Sequence, residues 1–154
     1  LPLSTTIVAL FKFLPTIPVF LVIKLTMGLP FSWNMLWGVV VVFIALLFGL
    51  GIAILISAAN VYVRDISNFL PYLNRTLLYI SPVLFEASSV SEKLAFLKNI
   101  NPFFPILDTW SRVMVHNEAL AWGEVGKAAI WAFGTFIIGT YLFLSREREF
   151  AVRV

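Results

Sequence analysis

The feature that most constrains this chain is a run of 25 residues without any charge, from Met35 to Ala59. At ~1.5 Å per residue the run makes a helix of roughly 37 Å, which can cross a ~30 Å hydrocarbon core with some tilt. A chain of 154 residues is too short to bury such a helix on all sides in a soluble core. Only 12% of the residues are charged, against about 25% in soluble domains. We therefore predict an all-α integral membrane protein.

Four apolar blocks predict about four transmembrane helices, which cover residues 6–27, 35–59, 69–85 and 127–144. The first block contains Pro15 and Pro18, so we expect a kink, which membrane helices tolerate because neighbouring groups satisfy the freed carbonyls. Lys24 lies near one end of this block and can reach the headgroups. Lys12 lies deeper, and it either reaches the near face or faces a polar interior.

The segment of residues 91–126 lies between the last two blocks. Its apolar part, residues 102–115, is too short to span and predicts short re-entrant or interfacial helices on the outer side of the membrane. Asp108 and Arg112 are four residues apart there, so they can pair on one helix face.

Arginines indicate the orientation. Arg64 lies in the polar loop of residues 60–68, and three more arginines lie in the tail of residues 145–154. Because basic loops tend to stay inside, we expect this loop and the C-terminus to be cytoplasmic. The turn of residues 28–34 has no Lys or Arg and would face the opposite side.

Small residues recur at every fourth position of the second span. They are Ala45, Gly49, Ala53 and Ser57. Such a stripe lets another helix approach closely, so we predict tight helix packing here, within one subunit or between subunits.

The sequence carries little chemistry of its own. It has no cysteine, and His116 is its single histidine, so thiol chemistry and a histidine-rich metal site are excluded. The string from Gly123 to Lys127 has the wrong spacing for a P-loop, and no hydroxyl follows the lysine. We predict no enzyme activity and no cofactor, and we attribute the net charge of +3 to membrane orientation rather than to nucleic-acid binding.

An ordered set of motifs covers most of the chain. Along the sequence these are Gly49-Leu50-Gly51, Arg64-Asp65-Ile66, Ser81-Pro82-Val83, Asn101-Pro102, Arg112 and Glu149-Phe150-Ala151. The order resembles the membrane subunit of a type-2 ATP-binding cassette (ABC-2) exporter, in particular the permeases that export polysaccharides, O-antigen or teichoic acid.

That resemblance implies a permease of six spans, of which this chain would be the C-terminal part. Such permeases work as a homodimer with two separate ATP-binding cassette subunits and move a lipid-linked glycan across the plasma (inner) membrane. Arg64 and Asp65 would then lie near the ATPase, although they could equally anchor and cap helix ends. Candidate residues of the translocation path are Arg75, Tyr72, Tyr79, Phe85, Trp110 and Arg112.

Three alternatives stay open from the sequence. An ABC-2 permease for another cargo, such as a drug or haem, would share the fold. A membrane enzyme would need interfacial carboxylates or a histidine pair, and the lone His116 argues against many of these. A secondary transporter would predict internal repeats, and the sequence shows none. A neighbouring gene for a Walker-motif ATPase would favour the ABC exporter.

Overall fold

A computed structural model describes residues 2–62, 65–80 and 101–153, and the regular structure within these ranges is entirely helical. The elements are α1 (Pro2–Phe13), α2 (Thr16–Thr26), a 3-10 helix (Trp33–Trp37), α3 (Gly38–Tyr62), α4 (Ile66–Ile80), α5 (Phe103–Met114) and α6 (Trp122–Arg153).

Three helical segments in the described ranges are long and apolar enough to cross a membrane. They are Pro2–Thr26, Trp33–Asn60 and Trp122–Ser145. The predicted all-α membrane fold is therefore confirmed. The remaining predicted span, residues 69–85, coincides in part with α4, but residues 81–85 lie outside the described ranges. The count of four spans stays a prediction.

The first span breaks between α1 and α2, at Leu14 and Pro15, as the prolines predicted. Pro18 has no N–H to donate to the Leu14 carbonyl, which instead accepts from the N–H of Ile17 at 3.2 Å. The hydroxyl of Thr16 donates to the Phe13 carbonyl at 2.6 Å. Thus the carbonyls of Phe13 and Leu14 at the kink find partners within the same segment.

Two glycines bring α3 and α6 into backbone contact. A Cβ added at Gly51 would lie 2.6 Å from the backbone nitrogen of Phe136, and one added at Gly139 would lie 2.8 Å from the Gly51 carbonyl oxygen. Any side chain at these two positions would force the helices apart. The closest approach of the two spans therefore depends on residues without a Cβ.

The predicted small-residue stripe does not mark this contact. A Cβ placed at Gly49 would meet no atom within 4 Å, because two residues along a helix turn the direction by roughly 200° from Gly51. Ala45 packs against the core, whereas Ala53 and Ser57 are half-buried. Packing of the stripe against another subunit stays a prediction.

The short helix α5 packs against both α3 and α6. Asn101 accepts the N–H of Phe103 through its side-chain oxygen at 3.0 Å, so the Asn101-Pro102 motif forms the start of this helix. The ring of Phe103 meets that of Phe48 edge to face at 5.2 Å between centroids. The buried core is formed by Val41, Ile44, Phe48, Ile106, Val113, Leu120, Val125, Ala128 and Ala132.

Candidate functional site

Lys24, at the end of the first span, is buried. It is only 1% exposed, and its Nζ donates to the Met114 carbonyl and to Asn117 Oδ1, both at 2.7 Å. The sulfur of Met35 lies 3.7 Å from Nζ, and the centroid of the Phe31 ring lies 5.8 Å away. The expectation that Lys24 reaches the headgroups is therefore wrong. Oxygen acceptors from a distant part of the chain satisfy its ammonium instead.

The chain turns directly after α2, close to Lys24. Gly28 has a φ of +67°, and the N–H of Leu29 donates back to the Lys24 carbonyl at 3.1 Å. This is a glycine-based helix end, which reverses the chain directly after α2. Ser32 then accepts the backbone N–H of Asn34 at 3.2 Å and starts the 3-10 helix.

Asn117 connects this turn with the segment after α5. Its Nδ2 donates to the Pro30 carbonyl at 2.9 Å, and its own carbonyl accepts from Asn34 Nδ2 at 2.9 Å. Its φ of +56° is one that asparagine tolerates better than most residues. We call the group of Lys24, Pro30, Asn34, Met114 and Asn117 the polar clamp. It joins the end of the first span to the end of α5.

Arg112 forms a second polar group on α5. Its Nε lies 2.8 Å from Asp108 Oδ2, which confirms the predicted pair, and its Nη1 lies 3.3 Å from Glu118 Oε2. The hydrogen bond to Asp108 is the main reason that the pKa of Arg112 is raised. Since both carboxylates already engage the guanidinium, Arg112 holds the segment after α5 as well as being a candidate for the translocation path.

Trp110, another candidate, faces an apolar cavity of about 240 Å³ between α1, α3 and α5. The indole meets Phe13 edge to face, with 5.6 Å between centroids. The lining includes Leu10, Val42 and Ile106, and no side chain in it is charged or carries a hydrogen-bonding group except the indole of Trp110. This cavity suits hydrocarbon better than a sugar.

The remaining candidate residues lie on or near α4, which packs against α3. Tyr72 is 68% exposed, and Arg75 and Asp65 are exposed as well. Arg64 and Phe85 lie outside the described residues, and so does the side chain of Tyr79. The structure thus distributes the described path candidates over two helices, α4 and α5.

The polar clamp was not predicted from the sequence. A lysine inside an apolar block needs an oxygen partner, and this signal could have pointed to Lys24. Its partners, Met114 and Asn117, are 90 and 93 residues away, so no local pattern identifies them. In the part of the chain that the structure describes, no three His, Asp or Glu side chains come together as a metal site.

Curated relatives match nearly the whole chain. Two come from Klebsiella pneumoniae and are 28% and 25% identical over 152 residues, and one comes from Myxococcus xanthus and is 25% identical over 159 residues. Each bears the name O-antigen export system permease protein RfbA, and each alignment covers 98% of this chain. The chain spans 58% to 59% of the length of these relatives. No family model and no solved structure matches. The resemblance to polysaccharide export permeases is thereby confirmed.

Proposed function

We propose that this chain is part of the permease subunit of an ATP-driven ABC-2 exporter and forms half of a path for a lipid-linked polysaccharide, such as O-antigen, capsule or teichoic acid. The observation that carries the proposal is the similarity over 98% of the chain to permeases named for O-antigen export. Within the described residues, three helical segments are able to cross a membrane, which fits a permease. In this proposal the energy for export comes from a separate ATP-binding cassette polypeptide.

Two copies of the permease and two ATP-binding cassette subunits make up the exporter. The loop with Arg64 and Asp65 faces the ATPase, and the C-terminus lies on the same, cytoplasmic side. ATP binding drives the ATPase subunits together and tilts packed helices of the permease between two arrangements.

The exposed face of α4 contributes to the path. An arginine exposed to hydrocarbon costs about 2.5 kcal/mol or more, so Arg75 faces water, a headgroup or another protein surface. Tyr72 lies three residues before it, on the same side of the helix, and offers a ring that can stack on a sugar. This face is exposed in a single copy and becomes enclosed when two permease copies meet around the cargo.

Affinity purification of the intact permease from detergent, with a tag at its C-terminus, tests the proposal. We expect a stoichiometric partner that carries a P-loop, and we expect deletion of the permease gene to abolish surface polysaccharide. A permease that purifies alone, remains stable and leaves surface polysaccharide unchanged on deletion would contradict the proposal and favour a secondary transporter or a membrane enzyme.

A further inference from the structure

Lys24 caps the C-terminal end of α5. Met114 is the last residue of this helix, and its carbonyl belongs to the last turn, where carbonyls lack partners within the helix. The C-terminal end of a helix carries a partial negative charge from the helix dipole, so a cation is favoured beside it. The ammonium of Lys24, brought by a different span, donates to this carbonyl at 2.7 Å. The capping group therefore comes from 90 residues earlier in the chain.

Asn117 makes the attachment two-sided. The side-chain oxygen of Asn117 accepts from Lys24, its side-chain nitrogen donates to Pro30, and its carbonyl accepts from Asn34. Both the oxygen and the nitrogen of the Asn117 side chain thus form hydrogen bonds with the end of the first span and the turn that follows it. Asn117 has a left-handed backbone, with a φ of +56°, and its side chain contacts α2 through Lys24.

No carboxylate among the described residues compensates the charge of Lys24. Its contacts are two neutral oxygens, a thioether sulfur and the face of an aromatic ring. Asp108 and Glu118 engage Arg112, and Glu124 engages Lys127. Removal of the ammonium would leave two oxygen acceptors of the clamp without their donor, and nothing else in the described contacts replaces it.

We propose that Lys24 and Asn117 are positioning residues of transport: the polar clamp fixes the end of α5 to the end of the first span, and so sets where Trp110 and Arg112 lie beside the path. The transport role rests on the proposed function. The clamp itself does not, because it can be tested by the position of α5 alone. The two residues need not touch the cargo.

These 154 residues contain no cysteine, so once any cysteine elsewhere in the permease is replaced by serine, a single introduced thiol can report on α5. Val113 is fully buried next to Met114, whereas Val115 is 38% exposed. We would make Val113→Cys and Val115→Cys in the intact permease with its ATPase, in membranes, and measure the rate of reaction with N-ethylmaleimide. Each reporter is combined with Lys24→Met, Lys24→Arg or Lys12→Met. Lys12→Met is the matched control, since Lys12 lies on the same span and is exposed.

Loss of charged hydrogen bonds shifts a local opening equilibrium by roughly tenfold or more, so we expect Val113→Cys to react about tenfold faster with Lys24→Met. Lys24→Arg should restore most of the protection, Lys12→Met should leave the rate unchanged, and Val115→Cys should react alike in all backgrounds. Export of polysaccharide, normalised to permease in the membrane, should fall with Lys24→Met and recover with Lys24→Arg.

Two results overturn the inference. If Val113→Cys stays equally protected with Lys24→Met in a correctly inserted permease, the clamp does not hold α5. If the reaction accelerates while export is unchanged, the clamp holds α5 but does not position it for transport. A wild-type permease without any export would instead contradict the proposed function, and the reaction rates would still decide whether the clamp holds α5.

Discussion

Lys24 and Lys12 lie on the same predicted span, but Lys24 is buried and Lys12 is exposed. Lys24 is enclosed by oxygens from the other end of the chain, whereas Lys12 is exposed and forms no hydrogen bond or ion pair with the described residues. The same contrast separates Gly51, which lies against the backbone of α6, from Gly49, where an added Cβ would contact no other atom. We call the first set, Lys24, Asn117, Gly51 and Gly139, the closed region, and the second, Lys12, Gly49, Tyr72 and Arg75, the open region.

The contrast teaches that polar and small residues in the apolar segments have two distinct uses. Those of the closed region satisfy the chain's own structure, so their effects should appear as lost stability of a single permease. We infer that the residues of the open region do not stabilise the described chain. Since charges facing lipid are costly, their effects should appear only in the assembled exporter, with a second copy or the cargo present.

The largest effect should come from Gly51→Leu, compared with Gly49→Leu. Leucine at Gly51 would force a side chain into backbone atoms of α6, and overpacking of this kind costs about 3 kcal/mol or more. We expect little monodisperse Gly51→Leu permease by size-exclusion chromatography in detergent, and near-normal amounts of Gly49→Leu. Equal yields of the two variants would contradict the assignment of Gly51 to the closed region and of Gly49 to the open region.

Lys24→Met should lower stability next most strongly. The loss of two charged hydrogen bonds, offset by the easier burial of methionine, gives a destabilisation of roughly 2–4 kcal/mol. Lys12→Met should change stability by less than about 0.5 kcal/mol, as for other exposed sites. Thermal unfolding of the permease, followed by tryptophan fluorescence, measures both, since five tryptophans lie within these 154 residues. A similar drop for both variants would show that Lys12 has a partner in the folded chain.

Asn117→Gly and Asn117→Ala separate the two roles of this residue. Both lose the side-chain hydrogen bonds, but alanine also resists the φ of +56°, which costs about 1 kcal/mol or more. We therefore expect both variants to melt earlier than the parent protein, and Asn117→Ala to melt earlier than Asn117→Gly. The reverse order would mean that the backbone at this position relaxes without cost.

The smallest effect belongs to Arg112→Gln. The Arg112 side chain is 44% exposed, and partly exposed ion pairs contribute at most about 1 kcal/mol, less at high salt. Because folding raises the pKa of Arg112, its contribution is fully present at neutral pH and is lost only when the pH rises through the strongly alkaline pKa of the folded guanidinium. The difference in melting temperature between Arg112→Gln and the parent should therefore be constant from pH 6 to pH 9 and shrink with added salt.

Local patterns predicted the parts of the fold that depend on neighbours in the sequence. The uncharged run predicted the membrane fold, and the prolines predicted the break at Leu14 and Pro15. The spacing of four residues predicted the pair of Asp108 and Arg112. The polar clamp joins residues up to 93 positions apart, so only the folded chain reveals it. The stripe of small residues names no partner, because spacing reveals a helix face but not the direction in which that face points, and its packing against another subunit stays a prediction.

The contact of Gly51 with Gly139 also has a mechanical consequence. Helix α6 has 32 residues and is therefore roughly 48 Å long, well beyond the ~30 Å of a hydrocarbon core. Gly139 lies close to the midpoint between Trp122 and Arg153, so the backbone contact divides α6 into two parts of similar length. If α6 tilts about this contact, we expect its two ends to move in opposite directions by similar amounts, including the end that adjoins α5.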